Sequence, residues 1–125
     1  MAITVFDNRF RQPNKQPIAI LTWTFTTDAS GDASEESVTI LGKIKRVVTN
    51  PDNTDPPTAN WDLTITDEDG IDILCGNGAD RDAGGTGISE QAFPCPAEIA
   101  VASKLTFTVA NGGNTKKGVV KLYIT

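Results

Sequence analysis

Asp67-Glu68-Asp69-Gly70-Ile71-Asp72 is the densest run of carboxylates in the sequence. Closely spaced carboxylates suit calcium binding or acid–base work. A helix–loop–helix calcium loop needs ligands at alternating positions, glycine at the sixth and glutamate at the twelfth. Counting back from Gly70 puts Ile65 at the first ligand position, which excludes that loop. A looser calcium site shared with Asp80 and Asp82 stays open beside the simpler reading, a solvated turn. Glycoside hydrolysis needs two carboxyl groups flanking a sugar, and neighbours on one tight turn are poorly placed for it. Gly76-Asn77-Gly78 and Gly84-Gly85-Thr86-Gly87 match phosphate-cradling loops in glycine content alone. No Gly-Lys-Ser/Thr follows them and no helix is expected to start there, so they read as surface loop.

Nucleophilic chemistry lacks its partners. The sequence has no histidine, and no Ser-x-x-Lys replaces one. Cys75 and Cys95 have no basic neighbour to make a thiolate, and their spacing fits neither a zinc nor a redox motif. They are expected as two thiols in a reducing compartment, with Cys75 a small core residue continuing an inward set Ile71, Ile73. A disulfide between them is possible but not legible from spacing. The chain is therefore expected not to be an enzyme and to need no cofactor or metal. Trp23, Trp61 and Tyr123 are the aromatic residues suited to stacking on a sugar. The two tryptophans fall on the apolar parity of their strands and read as core. Tyr123 falls on the polar parity with Lys121 and Val119, which makes it the best candidate for an exposed contact.

These residues sit on segments that alternate apolar and polar at period two, the signature of a half-buried sheet. Leu21, Trp23 and Phe25 share one face of a strand over 18–27. A strand over 37–49 has Val38, Ile40, Ile44 and Val48 on one parity, with Gly42 as an expected bulge. Two hairpins are expected. One runs Trp61–Thr66, turns at Asp67–Gly70 and returns over Ile71–Cys75; Asp-Gly suits such a turn. The other pairs Lys104–Val109 with Gly118–Ile124, with Leu105, Phe107, Val109, Val120, Leu122 and Ile124 inward. Ile3–Phe6 is a short first strand. Residues 28–36 read as a polar, mobile loop, and the prolines near 51–57 break any ladder there. Phe93 is expected to pack on a sheet edge.

The 125 residues bound one domain, and 38% hydrophobic with 22% charged is the balance of a folded soluble chain. The resulting expectation is all-β: an antiparallel β-sandwich of about seven or eight strands, jelly-roll or immunoglobulin-like. Residues 1–17, basic and proline-punctuated, form an extended N-terminal arm, and 18–125 the sandwich. The start has no basic segment followed by an apolar one, so no secretory signal is read and folding in a cytoplasm is expected. No apolar run is long enough to span a bilayer.

Net charge is −5 but unevenly spread. Residues 1–46 carry six Lys/Arg against five Asp/Glu; 47–103 carry one against eleven; 104–125 carry four against none. The acidic middle makes free nucleic acid an unsuitable partner. Two explanations remain: the basic last hairpin neutralises the acidic one inside the domain, or neighbouring copies complement each other head to tail.

The stretches NWDLTITDEDGIDILCGNGADRD, from Asn60, and VASKLTFTVANGGNTKKGVVKLYI, ending at Ile124, resemble small virion proteins of tailed bacteriophages encoded among head and tail genes. The resemblance covers about half of the chain. It implies a capsid decoration (cement) protein that binds the outer shell and links neighbouring capsomers. The implied partners are the major capsid protein and neighbouring copies of the chain itself, as dimer or trimer. The implied location is the virion, without membrane. Alternatives are a head–tail connector or tail component, and a virion-surface carbohydrate-binding module. The contact candidates are Arg9, Arg11 and Lys15 on the arm, Arg81 in the glycine-rich loop, and Lys121 and Tyr123 on the last strand.

Overall fold

The alternation of Leu21, Trp23 and Phe25 with threonines builds the strand around which the larger sheet forms. In the computed structural model, which describes residues 2–7, 18–81, 90–92 and 98–125, all three side chains are fully buried. Among the described residues nine strands are present: β1 (Ala2–Asp7), β2 (Ala19–Thr26), β3 (Ala33–Glu36), β4 (Ile40–Pro51), β5 (Asp62–Thr66), β6 (Glu90–Ala92), β7 (Ile99–Ser103), β8 (Thr106–Ala110) and β9 (Lys117–Ile124). No helix occurs among the described residues. A six-stranded sheet has the order β1-β2-β9-β4-β6, with β7 also on β4, and a three-stranded sheet has the order β3-β8-β5. Every pairing is antiparallel.

The inner faces meet through aromatic rings. Trp23 lies 5.3 Å from Phe25 on its own strand and 5.5 Å from Phe107 on β8 of the opposite sheet. Phe25 lies 5.5 Å from Trp61, just ahead of β5. Tilted pairs at these separations add about 0.5–1.5 kcal/mol each beyond area burial. Leu63, Ile65, Leu105, Val109, Val120, Leu122 and Ile124 complete the same core. The all-β antiparallel sandwich is thus the observed architecture, as expected, with the short β3 and β6 adding to the strands that periodicity gives.

Several expectations are corrected. Residues 28–36 are not an open polar loop. Asp28 Oδ1 accepts the N–H groups of Ser30 (2.8 Å) and Asp32 (3.0 Å), and β3 then pairs with β8 through Ala33 to Glu36. The small residues conceal this strand, which owes its place to backbone pairing and not to aliphatic side chains. The bulge of β4 falls between Ile44 and Arg46, not at Gly42. It flips parity, so Val47 and Thr49 are buried while Val48 turns outward. Val38, 66% exposed, precedes β4 in the link 37–39 and is not part of the strand's alternation.

The expected return strand 71–75 does not form. Thr66 and Asp72 make a single bridge, and the chain then coils through turns over 73–78. Ile73 and Leu74 are buried, whereas Ile71 and Cys75 are exposed. Cys75 is also disulfide-bonded, not a thiol; Cys95, the chain's other cysteine, lies outside the described residues.

The last two strands are not a hairpin. β8 belongs to the smaller sheet and β9 to the larger, so the segment 111–116 crosses between layers. Their inward residues were read correctly, but they face each other across the core instead of lying side by side.

The expected arm begins as sheet, because Ala2–Asp7 pair with β2 along their full length. Arg9, Arg11 and Lys15 lie outside the described residues, as do the glycine-rich stretch 82–89 and Phe93.

Candidate functional site

The acidic turn after β5 is occupied with its own backbone. Asp67 Oδ1 accepts the N–H groups of Asp69 (2.9 Å) and Ile71 (3.0 Å). Asp72 Oδ1 accepts those of Ile65 (3.2 Å) and Leu74 (3.0 Å), and its Oδ2 that of Gly76 (3.0 Å). Glu68 Oε1 accepts the Lys104 N–H at 3.1 Å. Asp72 thereby holds the Ile65 N–H, a β5 donor that a return strand would otherwise have taken. Asp80 donates its N–H to Asp62 Oδ1 at 3.0 Å, away from that turn, and Asp82 lies outside the described residues. Among the described residues no three carboxylate or cysteine side chains stand close enough to hold a metal ion.

A cleft of about 240 Å³ lies where β2 and β4 end and β9 begins, lined by Thr24, Thr26, Asn50, Asp52 and Lys117. Asp52 Oδ2 accepts the N–H groups of Asp55 (2.8 Å) and Thr54 (3.0 Å). These bonds, helped by the Lys117 charge, hold its carboxyl below the ordinary value. The cleft's polar groups are strand residues of β2, β4 and β9 together with Asp52 and Asn53 of the turn that follows β4.

Lys121 and Tyr123 stand together on the outward side of β9, as their parity predicts. Register sets Tyr123 between Ile20 on β2 and Arg46 on β4, and Lys121 between Thr22 and Val48. The Arg46 guanidinium lies 5.2 Å from the centre of the Tyr123 ring, so one ring face is taken by a cation and not open to a sugar. Arg81 is elsewhere. It is 9% exposed, and its backbone pairs with Trp61, donating N–H to the Trp61 carbonyl at 2.7 Å. It is packed into the mouth of the sandwich and does not project from a surface loop. The structure therefore unites two of the six contact candidates, Lys121 and Tyr123.

A second feature escaped the sequence. The exposed large apolar side chains among the described residues are Ile18 (44%), Val38 (66%), Leu41 (76%) and Ile71 (58%). All four lie at one end of the sandwich. Ile18 precedes β2, whose Ala19 pairs with Ile124 at the end of β9. Leu41 pairs with Ala102, one residue before the end of β7. Ser37, beside Val38, donates its N–H to the Leu105 carbonyl, and its Oγ accepts the Leu105 N–H at 3.1 Å. Ile71 closes the turn onto Asp67, and the neighbouring Glu68 donates its N–H to Ser103 Oγ at 3.2 Å. Leu41 carried the one available signal, an aliphatic residue on the parity opposite Ile40 and Ile44. Val38 and Ile71 fall on the parity that the sequence marks as inward.

At the rim of this end Glu98 binds Lys45 in a short hydrogen-bonded ion pair, with Lys43 at 3.7 Å. Lys45 first and Lys43 second hold the Glu98 carboxyl below its ordinary value. No helix of the described residues is long and apolar enough to cross a membrane. Compared with known proteins, the chain matches no family model and no curated protein.

Proposed function

We propose that this chain is a structural binding module of a virus particle, a capsid decoration protein that docks on the outer shell of a tailed phage and links neighbouring capsomers. The observation that carries the reading is the convergence of Ile18, Val38, Leu41 and Ile71 at one end of the fold. Scattered exposed aliphatics are ordinary, but several gathered at one end of a small domain favour a surface that is covered in use. A shell offers the same docking point many times. A contact at or below the standard size, about 800 Å² per partner, then suffices if several engage together. The resemblance of the Asn60 and Val101 stretches to small virion proteins supports the same partner. A disulfide at Cys75 suits a protein that works outside a reducing cytoplasm.

The test is co-sedimentation with purified shells that lack the protein. Wild-type chain pellets with the shells, and Val38→Asp with Leu41→Asp abolishes the binding while circular dichroism stays unchanged. Wild-type chain remaining in the supernatant rejects the shell as partner; undiminished binding of the double variant rejects the apolar end. The arm is tested by Arg9→Ala, Arg11→Ala and Lys15→Ala together, because deleting residues 1–17 would strip β1 from its sheet.

A further inference from the structure

The charge asymmetry of the sequence becomes an asymmetry of layers. The strands of the larger sheet carry Lys43, Lys45 and Arg46 on β4 and Lys117 and Lys121 on β9, with Asp7 on β1 and Glu90 on β6 as their acids. The strands of the smaller sheet carry Glu35, Glu36 and Asp62, and Lys104, just ahead of β8, offsets part of that charge from 3.9 Å beside Glu36. The acidic turn 67–72 continues directly from β5, adding to the same layer. β9 and β5 lie in opposite sheets, so Lys121 does not face the acidic turn after β5 within one molecule. The pairing that does occur inside the molecule is local: Lys117 near Asp52, Lys45 and Lys43 on Glu98, and Lys104 3.9 Å from Glu36. Internal compensation of the charge pattern is therefore partial, and the two layers keep opposite excess charge.

Both outer faces are strand surfaces of compatible character. On the larger sheet, Lys117, Val119, Lys121 and Tyr123 alternate outward along β9, beside Arg46, Val48 and Asn50 of β4. On the smaller sheet the outward positions are small and polar. Ser34, Thr108 and Thr64 form one row across the three strands, and Glu36, Thr106 and Thr66 the next. Ser34 Oγ and Thr108 Oγ1 lie 3.5 Å apart, which keeps that surface low. A low acidic face of hydroxyls admits long basic side chains and an aromatic ring from a facing sheet.

We propose that copies of this chain associate face to face, the basic outer face of the six-stranded sheet of one copy against the acidic outer face of the three-stranded sheet of the next. The contact is heterologous: in a pair one copy keeps its acidic face unused and the other its basic face, so the association closes into a ring or extends as a stack. Opposite charge supplies steering and register, and salt weakens it. The proposal does not depend on the shell as partner, because it uses the sheet faces and not the apolar end, and its test uses the isolated chain.

The experiment is sedimentation velocity of the purified full chain at about 0.01 M and about 1 M salt, Debye lengths of about 30 Å and 3 Å. The wild type forms oligomers at low salt and dissociates at high salt. Arg46→Glu, Lys117→Glu and Lys121→Glu together, with Lys43 and Lys45 still held by Glu98, make both faces acidic and leave a monomer. Glu36→Lys with Thr64→Lys makes both faces basic and also leaves a monomer. Asp62 is spared in that variant because it holds the Asp80 N–H and the Asn111 amide. Mixing the two variants at low salt restores association. A wild-type monomer at low salt overturns the proposal, as does association indifferent to salt. Failure of the two folded variants to associate with each other, with folding checked by urea unfolding, overturns it too.

Discussion

Arg46 and Tyr123 face each other across the β4–β9 pairing, and the guanidinium carbon stands 5.2 Å from the ring centre. The contact falls one register step after the β4 bulge, which is what turns Arg46 outward to meet the ring. A cation over an aromatic face at an exposed site is worth about 0.5–1 kcal/mol. A double-mutant cycle with Arg46→Ala, Tyr123→Ala and the pair, followed by urea unfolding, is expected to give a coupling of that size. Additive single effects would mean that the two side chains merely coincide in space.

Gly118 shows the opposite case, a residue defined by what cannot be there. A Cβ at this position would come within 2.6 Å of Phe25 Cζ and 2.8 Å of Cε2. The ring cannot retreat, since Trp23 and Trp61 lie 5.3 and 5.5 Å from it. Gly118→Ala is therefore expected to cost about 1–3 kcal/mol by overpacking, and Gly118→Val more. The measurement is the shift of the urea midpoint at unchanged slope.

The inward sets of β2, β8 and β9 were legible because each strand faces core on one side and the opposite parity is polar. Period two survives wherever that holds. Layer membership was not legible. Asn111-Gly112-Gly113-Asn114 reads as a hairpin turn, but hairpins and crossings between sheets draw on the same residues. Here Gly112 donates its N–H to the Gly31 carbonyl at 2.9 Å, and a Cβ on Gly31 would lie 2.7 Å from Gly113 N. The two loops meet backbone to backbone, a long-range fact invisible to any local window. The failed return strand at 71–75 has a local cause. Asp72 bonds three N–H groups itself, and an Asx-type side chain competes with a ladder. The apolar end is hidden for related reasons: Val38 lies in the link between β3 and β4, where period two no longer applies, and Ile71 in the turn after β5.

Thr27 joins those same loops. Its hydroxyl donates to the Gly113 carbonyl at 2.5 Å and accepts the Lys116 N–H at 2.7 Å, and the residue is 3% exposed. Thr27→Val keeps the shape and strands both backbone groups, which is expected to cost about 1–3 kcal/mol. Thr27→Ser retains the hydroxyl and most of the stability. Protection of the Lys116 amide against hydrogen exchange distinguishes the two, being lost in the valine variant and kept in the serine variant.

Asp52 makes the acid limb of stability a readout of one turn. Its carboxylate accepts the Asp55 and Thr54 N–H groups, and these bonds hold its pKa in the fold below that of the unfolded chain. A carboxyl lowered in this way contributes stability that is fully present above the ordinary carboxylate range. That contribution is lost as pH falls through the lowered value, where the folded group takes up its proton. Asp52→Asn removes the titration while keeping an oxygen acceptor. The variant is expected to be less stable than wild type at neutral pH, with the gap closing as pH drops below about 4, the usual aspartate range. Urea midpoints measured from neutral pH down to strong acid give the comparison. Parallel curves with a constant gap would mean that the charge on Asp52 plays no part, and that the turn over 52–55 is held by hydrogen-bond geometry alone.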